Sequence, residues 1–392
     1  MDNDATCVLR NEMLSDTDIV WRFLQDGRVD PAANDNWAIQ LSSQEGYTDV
    51  VKLLLADGRA DPTDLDNYAI RWSSENGHAD VVRLLLDDGR ADPTVQDNYA
   101  ILLSSEDGHA EVLKLLLEDP RVDPTAKNNY AILLSSYNGH SNVVKLLLDD
   151  GRTDPTVADN CSIRMSSKNG YADVVKLLLA DARVDPTARD NWAIQLSSSN
   201  GHTDVVRLLL DDGRADPTVL NSWPIRTSSQ KGNTEVVKLL LEDGRANPTG
   251  ASNYAIQLSS NNGHAEVVKL LLADGRTDPT ALDSWAIRTS SQKGNTEVVK
   301  LLLEDGRVNP AADNNYAIKM SSYNGHADVV KLLLDDGRVD PTARDNWAIK
   351  LSSRNGHADV VKLLVADGCV DPTEDNQYND REYFYDGGYF PC

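Results

Sequence analysis

Residues Asp61–Ala91 read DPTDLDNYAIRWSSENGHADVVRLLLDDGRA, and Asp92-Pro93 opens the same pattern again. Twelve prolines, at 31, 62, 93, 124, 155, 186, 217, 248, 279, 310, 341 and 372, mark the period, and every step is 31 residues. Pro120, Pro224 and Pro391 stand outside the series. A fixed period of this length identifies a repeat architecture. The stretches Ser222–Thr249 and Ser284–Ala311 differ at three positions, as a duplicated two-repeat block would. Composition does not shift between Pro31 and Pro372, so no linker is expected there.

The punctuation inside one unit predicts two helices. Asn36, Asn67, Asn98, Asn129, Asn160, Asn191, Asn253, Asn315 and Asn346 share a column that Ser222 and Ser284 complete. These are good N-cap residues, and the column is expected to cap a short helix from Trp37 to about Glu45. Gly46 and its equivalents suit the left-handed residue past a helix end. A second helix is expected from Thr48 to Asp57, closed by Gly58 with Pro62 soon after. Its Val50, Val51, Leu54 and Leu55 form one apolar face, which Leu53 widens.

Helices of about ten residues do not persist alone in water. Each pair must bury its stripe against the pairs before and after it. The expected fold is all-α: a helix-turn-helix solenoid with short connecting β-turns and about 12 stacked repeats. At ~8–10 Å per packed helix it would be a rod on the order of 100 Å long. Residues 1–377 form the expected solenoid, with 4–30 (Val8, Ile19, Val20, Phe23, Leu24) as a capping repeat. Residues 378–392 form an aromatic, acidic tail, either folded over the last repeat or free as a peptide ligand.

The unit resembles the ankyrin repeat. Tyr68-Ala69-Ile70-Arg71-Trp72-Ser73-Ser74 matches that family's TPLHxAA start; Gly77-His78, Val81-Val82, Leu84-Leu85-Leu86 and Gly89-Arg90 follow its order. Shortened repeats with this RxDP ending are similar to those of large-genome DNA viruses and single-celled eukaryotes. The family period is 33, and the two missing residues fall between Gly89 and Tyr99, in the projecting hairpin. Trp or Tyr replaces the family's capping threonine in all but one repeat, where Cys161 stands. These rings are expected to fill the space of the shortened hairpin and stack as a ladder.

Sixty-two acidic against 38 basic residues leave a charge of −24 over 392 residues. That balance argues against a nucleic-acid backbone as ligand. Hydrophobic residues at 40% and charged residues at 26% are globular values. No apolar run approaches the roughly 20 residues of a membrane span. The acidic start Met1-Asp2-Asn3-Asp4 is unlike a signal peptide. Cys7, Cys161, Cys369 and Cys392 make neither a metal spacing nor a disulfide framework, so the expected compartment is intracellular, in the cytoplasm.

Catalytic readings find no support. All seven histidines (His78, His109, His140, His202, His264, His326, His357) follow the turn glycine, where Tyr47, Tyr171, Asn233 and Asn295 also occur. Copies ~8–10 Å apart cannot share a metal ion, so a structural turn histidine is expected. The Ser-Ser columns lack a base; their hydroxyls can bond back to carbonyls one turn earlier. The arginines from Arg28 to Arg338 sit between acids, as in Asp88-Gly89-Arg90-Ala91-Asp92. They read as an ion-pair ladder between neighbouring turns rather than a phosphate site. No cofactor, metal or catalytic residue is expected, and the chain reads as no enzyme.

Two columns vary between repeats. One follows Ser-Ser (Gln44, Glu75, Glu106, Tyr137, Lys168, Ser199, Gln230, Asn261, Gln292, Tyr323, Arg354) and one follows the first-helix isoleucine (Gln40, Arg71, Leu102, Leu133, Arg164, Gln195, Arg226, Gln257, Arg288, Lys319, Lys350). The resemblance to ankyrin proteins places the former on a concave binding face. Leu102, Leu133 and Tyr137 would form an apolar patch beside Glu106 unless the leucines are packing residues. The candidate partner-binding residues are Leu102, Glu106, Leu133, Tyr137, Lys168, Tyr323 and Arg354. The expected function is a monomeric, non-catalytic protein-protein interaction scaffold whose acidity favours a basic partner. A structural or self-associating rod is the alternative.

Overall fold

A computed structural model describes residues 16–26 and 30–369 of the chain. The chain divides into two compact units, residues 1–216 and 217–392. Among the described residues every regular element is a helix, in alternating first and second helices of the repeats. In the first unit, Asp64–Glu75 pairs with Ala79–Asp88; in the second, Val219–Lys231 pairs with Thr234–Asp243. Within each unit first helices pack on first helices of adjacent repeats, and second on second. The 31-residue reading of helix-turn-helix units therefore holds in both.

The core lies between the helix layers. Ala69, Ile70, Val81, Val82 and Leu85 are all at 0% exposure, and Leu84 and Leu86 are half-buried. Burying such a side chain contributes ~1.5–3 kcal/mol. Most second helices end on a left-handed glycine, as Ala79–Asp88 does at Gly89 (φ 78°). Pro120 and Ala182 replace that glycine in two repeats, where Asp119 (ψ 117°) and Asp181 (ψ 115°) turn extended instead. The other glycine column is constrained twice over. Gly77 has φ 77°, and a Cβ there would lie 2.6 Å from the His109 ring.

The asparagine column is not an N-cap, which corrects the reading above. Leu65, Asp66 and Asn67 all adopt left-handed angles (φ 49°, 53°, 56°), and Asn67 N–H donates to the Thr63 carbonyl (2.8 Å). One left-handed turn thus precedes the right-handed helix, which starts at Tyr68. The Asn67 side chain makes no cap bond; its Oδ1 accepts the N–H of Asp92 in the next repeat (2.7 Å). Ser222 and Ser284 do the same through Oγ for Asn247 (2.9 Å) and Asn309 (3.0 Å). The last two positions of the turn carry mostly Asp, Asn or Ser, short polar residues, with Asn and Asp the side chains that best tolerate this region. Downstream, the Asp92 carboxylate accepts both Thr94 N–H (2.9 Å) and Thr94 Oγ–H (2.7 Å), which shapes the DPT corner.

The serine columns separate into two roles. Ser135 Oγ donates to the Ala131 carbonyl (2.9 Å), as expected of a hydroxyl one turn downstream. Its neighbour Ser136 is equally buried at 0%, and its Oγ has no partner. Ser43, Ser74 and Ser105 repeat that second pattern. The N-terminal helix Thr17–Asp26 buries Val20, while Ile19, Phe23 and Leu24 are half-buried. The expected positions of Val8 and of the 378–392 tail lie outside the described residues.

Candidate binding face

Positions i, i+3 and i+7 of a first helix share one face. Here they are the aromatic column, the column after isoleucine and the column after Ser-Ser: Tyr68, Arg71 and Glu75 in one repeat.

The aromatic rings do not stack on one another from repeat to repeat. The ring pair seen among the described residues, Tyr68 and Trp72, lies within one helix (centroids 5.3 Å apart). Four of the ten rings instead receive a cation from the repeat before: Arg164 over Trp192 (5.1 Å), Arg226 over Tyr254 (5.8 Å), Arg288 over Tyr316 (5.6 Å) and Lys319 over Trp347 (5.7 Å). They remain partly wet, with Trp192 at 36% and Tyr254 at 42% exposure. The cation supplies an electrostatic contact that a second ring would not.

The column after isoleucine is largely turned inward. Arg164, 3% exposed, donates from Nε to the Asp159 carbonyl (2.8 Å) and from Nη2 to the Ala158 carbonyl (2.9 Å). Gln257 does likewise toward Ser252 (2.7 Å) and Arg71 toward Asp66 and Leu65 (2.9 Å each). These donors satisfy carbonyls that the left-handed turn leaves outside the helix ladder. Sequence reading missed this role, although a signal was present. The column holds no carboxylate in a chain with 62 acids, because an ionised carboxylate accepts and cannot donate.

The candidate residues therefore part company. Leu102 is 3% exposed and packs in the core with Ile101, Leu113 and Ile132, so it does not belong to a surface patch. Leu133 is half-buried. Glu106, Tyr137 (53% exposed) and Lys168 are exposed in three successive repeats of the first unit. Tyr323 (38%) and Arg354 are exposed in successive repeats of the second. Burial, reinforced by the Asp107 and Glu106 carboxylates, pushes the Glu75 carboxyl above its ordinary range.

Backbone clamps hold this column. His140 Nε2–H donates to the Glu106 carbonyl (2.8 Å), His202 to Lys168 (2.8 Å) and His357 to Tyr323 (2.9 Å). Asn169 Nδ2 donates to the Tyr137 carbonyl (2.9 Å), where Tyr171 replaces the histidine. All seven histidines make the same bond to the preceding repeat. This is the structural turn role expected of them. The open cleft lined by Gln292, Lys293, Asn324 and His326 is one such junction, where Asn324 (2.9 Å) and His326 (3.1 Å) both donate to the Gln292 carbonyl.

The arginine column differs in detail from an ion-pair ladder between turns. Arg90 pairs with Asp88 of its own repeat (2.8 Å), while its Nη1 donates across the junction to the Ala60 carbonyl (2.9 Å). The link between repeats is thus guanidinium to backbone. Hydrogen bonding to Arg90 holds the Asp88 carboxyl below its ordinary range.

A family model of ankyrin repeats, three copies long, matches residues 12–97, 71–159, 101–190, 163–250, 225–312 and 285–376. The chain belongs to the ankyrin repeat family. Among solved structures it is similar to an ankyrin repeat domain from Acinetobacter baumannii AYE, at 20% identity and a TM-score of 0.38, over 46% of this chain and 99% of that one. It is also similar to the ankyrin repeat protein EF0377, at 22% identity and a TM-score of 0.37, over 44% and 96% of the two chains. No curated protein matches it. Ankyrin repeats are in general protein-protein interaction scaffolds and generally not enzymes. No helix among the described residues is long and apolar enough to cross a membrane.

Proposed function

We propose that this ankyrin protein is a non-catalytic scaffold that binds a protein partner through the concave face and turns of its repeats. The observation that supports this reading is a division of labour within one column. At Glu106, Tyr137 and Lys168 the carbonyls are tied to the next repeat, while the side chains vary and stay exposed. Rigid backbone under variable, wet side chains suits recognition, because little ordering entropy is lost on binding. The carboxylates of Glu75, Glu106 and Asp107 favour a basic partner at this end, and the RxDP ending groups the repeats with the shortened viral and protist type.

Affinity capture with the full chain, repeated with Glu106→Lys and Tyr137→Ala, tests it. A partner retained by the unaltered chain and lost from both variants is the expected result. Equal retention by all three, or a mass by light scattering that grows with concentration, would favour the self-associating rod.

A further inference from the structure

The same stripe has a different character in the second unit. Its five first helices contribute fifteen positions, of which Arg226, Arg288, Lys319, Lys350 and Arg354 are cations and none is a carboxylate. In a chain of net charge −24 this is a marked segregation. Satisfying the left-handed turn does not require it, since neutral Gln257 performs that task. Arg226 spends one nitrogen on it, Nη2 to the Leu220 carbonyl (2.9 Å), and its Nε is buried without a partner. Arg288 is paired with Asp313 (2.6 Å), whereas Lys319, 6% exposed and 5.7 Å from the Trp347 ring, has no carboxylate partner among the described residues. Burial pushes Arg226 and Lys319 below their ordinary range. A desolvated cation without a counter-ion is costly, and an anion laid along the stripe would offset that cost.

The chain carries such an anion. Residues 371–386 contain Asp371, Glu374, Asp375, Asp380, Glu382 and Asp386 against the single cation Arg381. Tyr383, Phe384 and Tyr385 run through the middle, with Tyr389 and Phe390 beyond. We propose that the first-helix stripe of residues 217–369 is a docking surface for an acidic aromatic segment, and that its occupant is this chain's own stretch 370–392. Those 23 residues follow Cys369 directly. Fully extended they span ~75–80 Å, against ~40 Å for five packed helices, so the whole stripe is within reach. Tethering adds an effective concentration in the millimolar range. The aromatic residues of the segment meet a face already built of alternating rings and cations. This docking carries the opposite charge from the Glu75, Glu106 and Asp107 face proposed above and lies in the second unit; it shares only Tyr323 and Arg354 with the candidate partner-binding residues.

Limited chymotrypsin digestion of the full chain, read by mass spectrometry, tests it, because the segment is rich in Tyr and Phe. Cleavage after Tyr378–Phe390 is expected to be about tenfold slower in about 0.05 M than in about 0.5 M NaCl, where screening is short-ranged. Lys350→Glu with Arg354→Glu, both on the stripe, should abolish that protection, and adding Glu382→Lys with Asp386→Lys should restore it. Cleavage indifferent to salt and to the charge swap would overturn the proposal. So would protection that grows with protein concentration, which assigns the segment to a second copy. Protection lost in Val365→Asp but kept in the charge variants would assign it instead to the end of the last helix, where Val365 is 45% exposed.

Discussion

Adjacent serines in the first helix should respond to the same substitution with opposite sign. Ser135 and Ser136 are both at 0% exposure, in the helix Ala126–Asn138, and differ in one respect. Ser135 Oγ has the Ala131 carbonyl at 2.9 Å, and Ser136 Oγ has no partner. Changing either to alanine gains the same helix propensity, about 0.5 kcal/mol. Ser135→Ala then loses a made bond, worth about 1 kcal/mol net. Ser136→Ala instead removes a buried unpaired hydroxyl, relieving about 1–3 kcal/mol. The propensity gain cancels in the comparison, so the pair should differ by about 2–4 kcal/mol per repeat. Two multiple variants amplify this: Ser42, Ser73, Ser104 and Ser135 to alanine, and Ser43, Ser74, Ser105 and Ser136 to alanine. Equivalent sites in successive repeats are far enough apart for the effects to add approximately. The assay is urea unfolding followed by far-UV circular dichroism, with hydrogen exchange of residues 126–138 as a local readout, since long arrays need not unfold in two states. The first variant should lose midpoint and the second should gain it. A drop of equal size in both would refute the reasoning, because it would mean that the second hydroxyl is satisfied.

Three further outcomes are expected. Gly77→Ala, where a Cβ would meet the His109 ring at 2.6 Å, should cost several kcal/mol by thermal unfolding; Gly89→Ala, with open space around it and with Pro120 and Ala182 already tolerated at that column, should cost about 1 kcal/mol. Asn98→Ala loses the bond to Asp123 N–H (2.8 Å) and places alanine at φ 60°, so about 2 kcal/mol should be lost, whereas Asn98→Ser, the residue found at 222 and 284, should cost under about 1 kcal/mol. Stability should hold from neutral pH down to the ordinary carboxylate range near about 4 and fall below it. Asp57, Asp88, Asp119, Asp150, Asp181, Asp212, Asp274 and Asp305 are all held low by hydrogen bonds to their arginines, so their contribution is present above the unfolded value and is lost as pH falls through the folded one. Arg90→Ala with Arg121→Ala should flatten that acid limb in a melting-temperature series against pH.

The period, the two helices and the histidine role were legible because each follows from a strong local rule. Val81, Val82 and Leu85 sit at i, i+1 and i+4, and Gly77 and Gly89 need φ above zero. The entry to the first helix was not. Asn67 satisfies an N-cap preference and a left-handed preference equally well, because the same short amide serves both; the turn was hidden, and with it the donor role of the column after isoleucine. Leu65, Leu220 and Leu282 have no local preference for the left-handed region they occupy. At the candidate face the sequence column implied exposure for Leu102, yet burial is decided by packing against Leu113 of its own second helix and Ile132 of the neighbouring repeat, which share its cluster. The arginine ladder failed in a related way. Charges on both sides of Arg90 were visible, and the Ala60 carbonyl that receives its second bond was not, because backbone acceptors leave no mark in a sequence.

The constancy of the 31-residue step has a physical origin in these junctions. Asn36 Oδ1 receives Asp61 N–H, a span of 25 residues; Arg90 reaches the Ala60 carbonyl across 30; His78 reaches the Gln44 carbonyl across 34. The first two spans tile the unit from 36 to 90, so an inserted or deleted residue anywhere falls between two bonded atoms. A longer hairpin could absorb such a change in a projecting loop. Here the segment is committed residue by residue: Asp88 to Arg90, Arg90 to Ala60, Asp92 to Asn67 and to Thr94. Shortening the hairpin thus trades tolerance of length change for a bond at nearly every position. Exposed variation is greatest in the column after Ser-Ser, where Glu106, Tyr137, Lys168 and Tyr323 differ while their carbonyls each accept the asparagine amide of the next repeat. An array built this way can change what it recognises only by substitution, since its register leaves no other freedom.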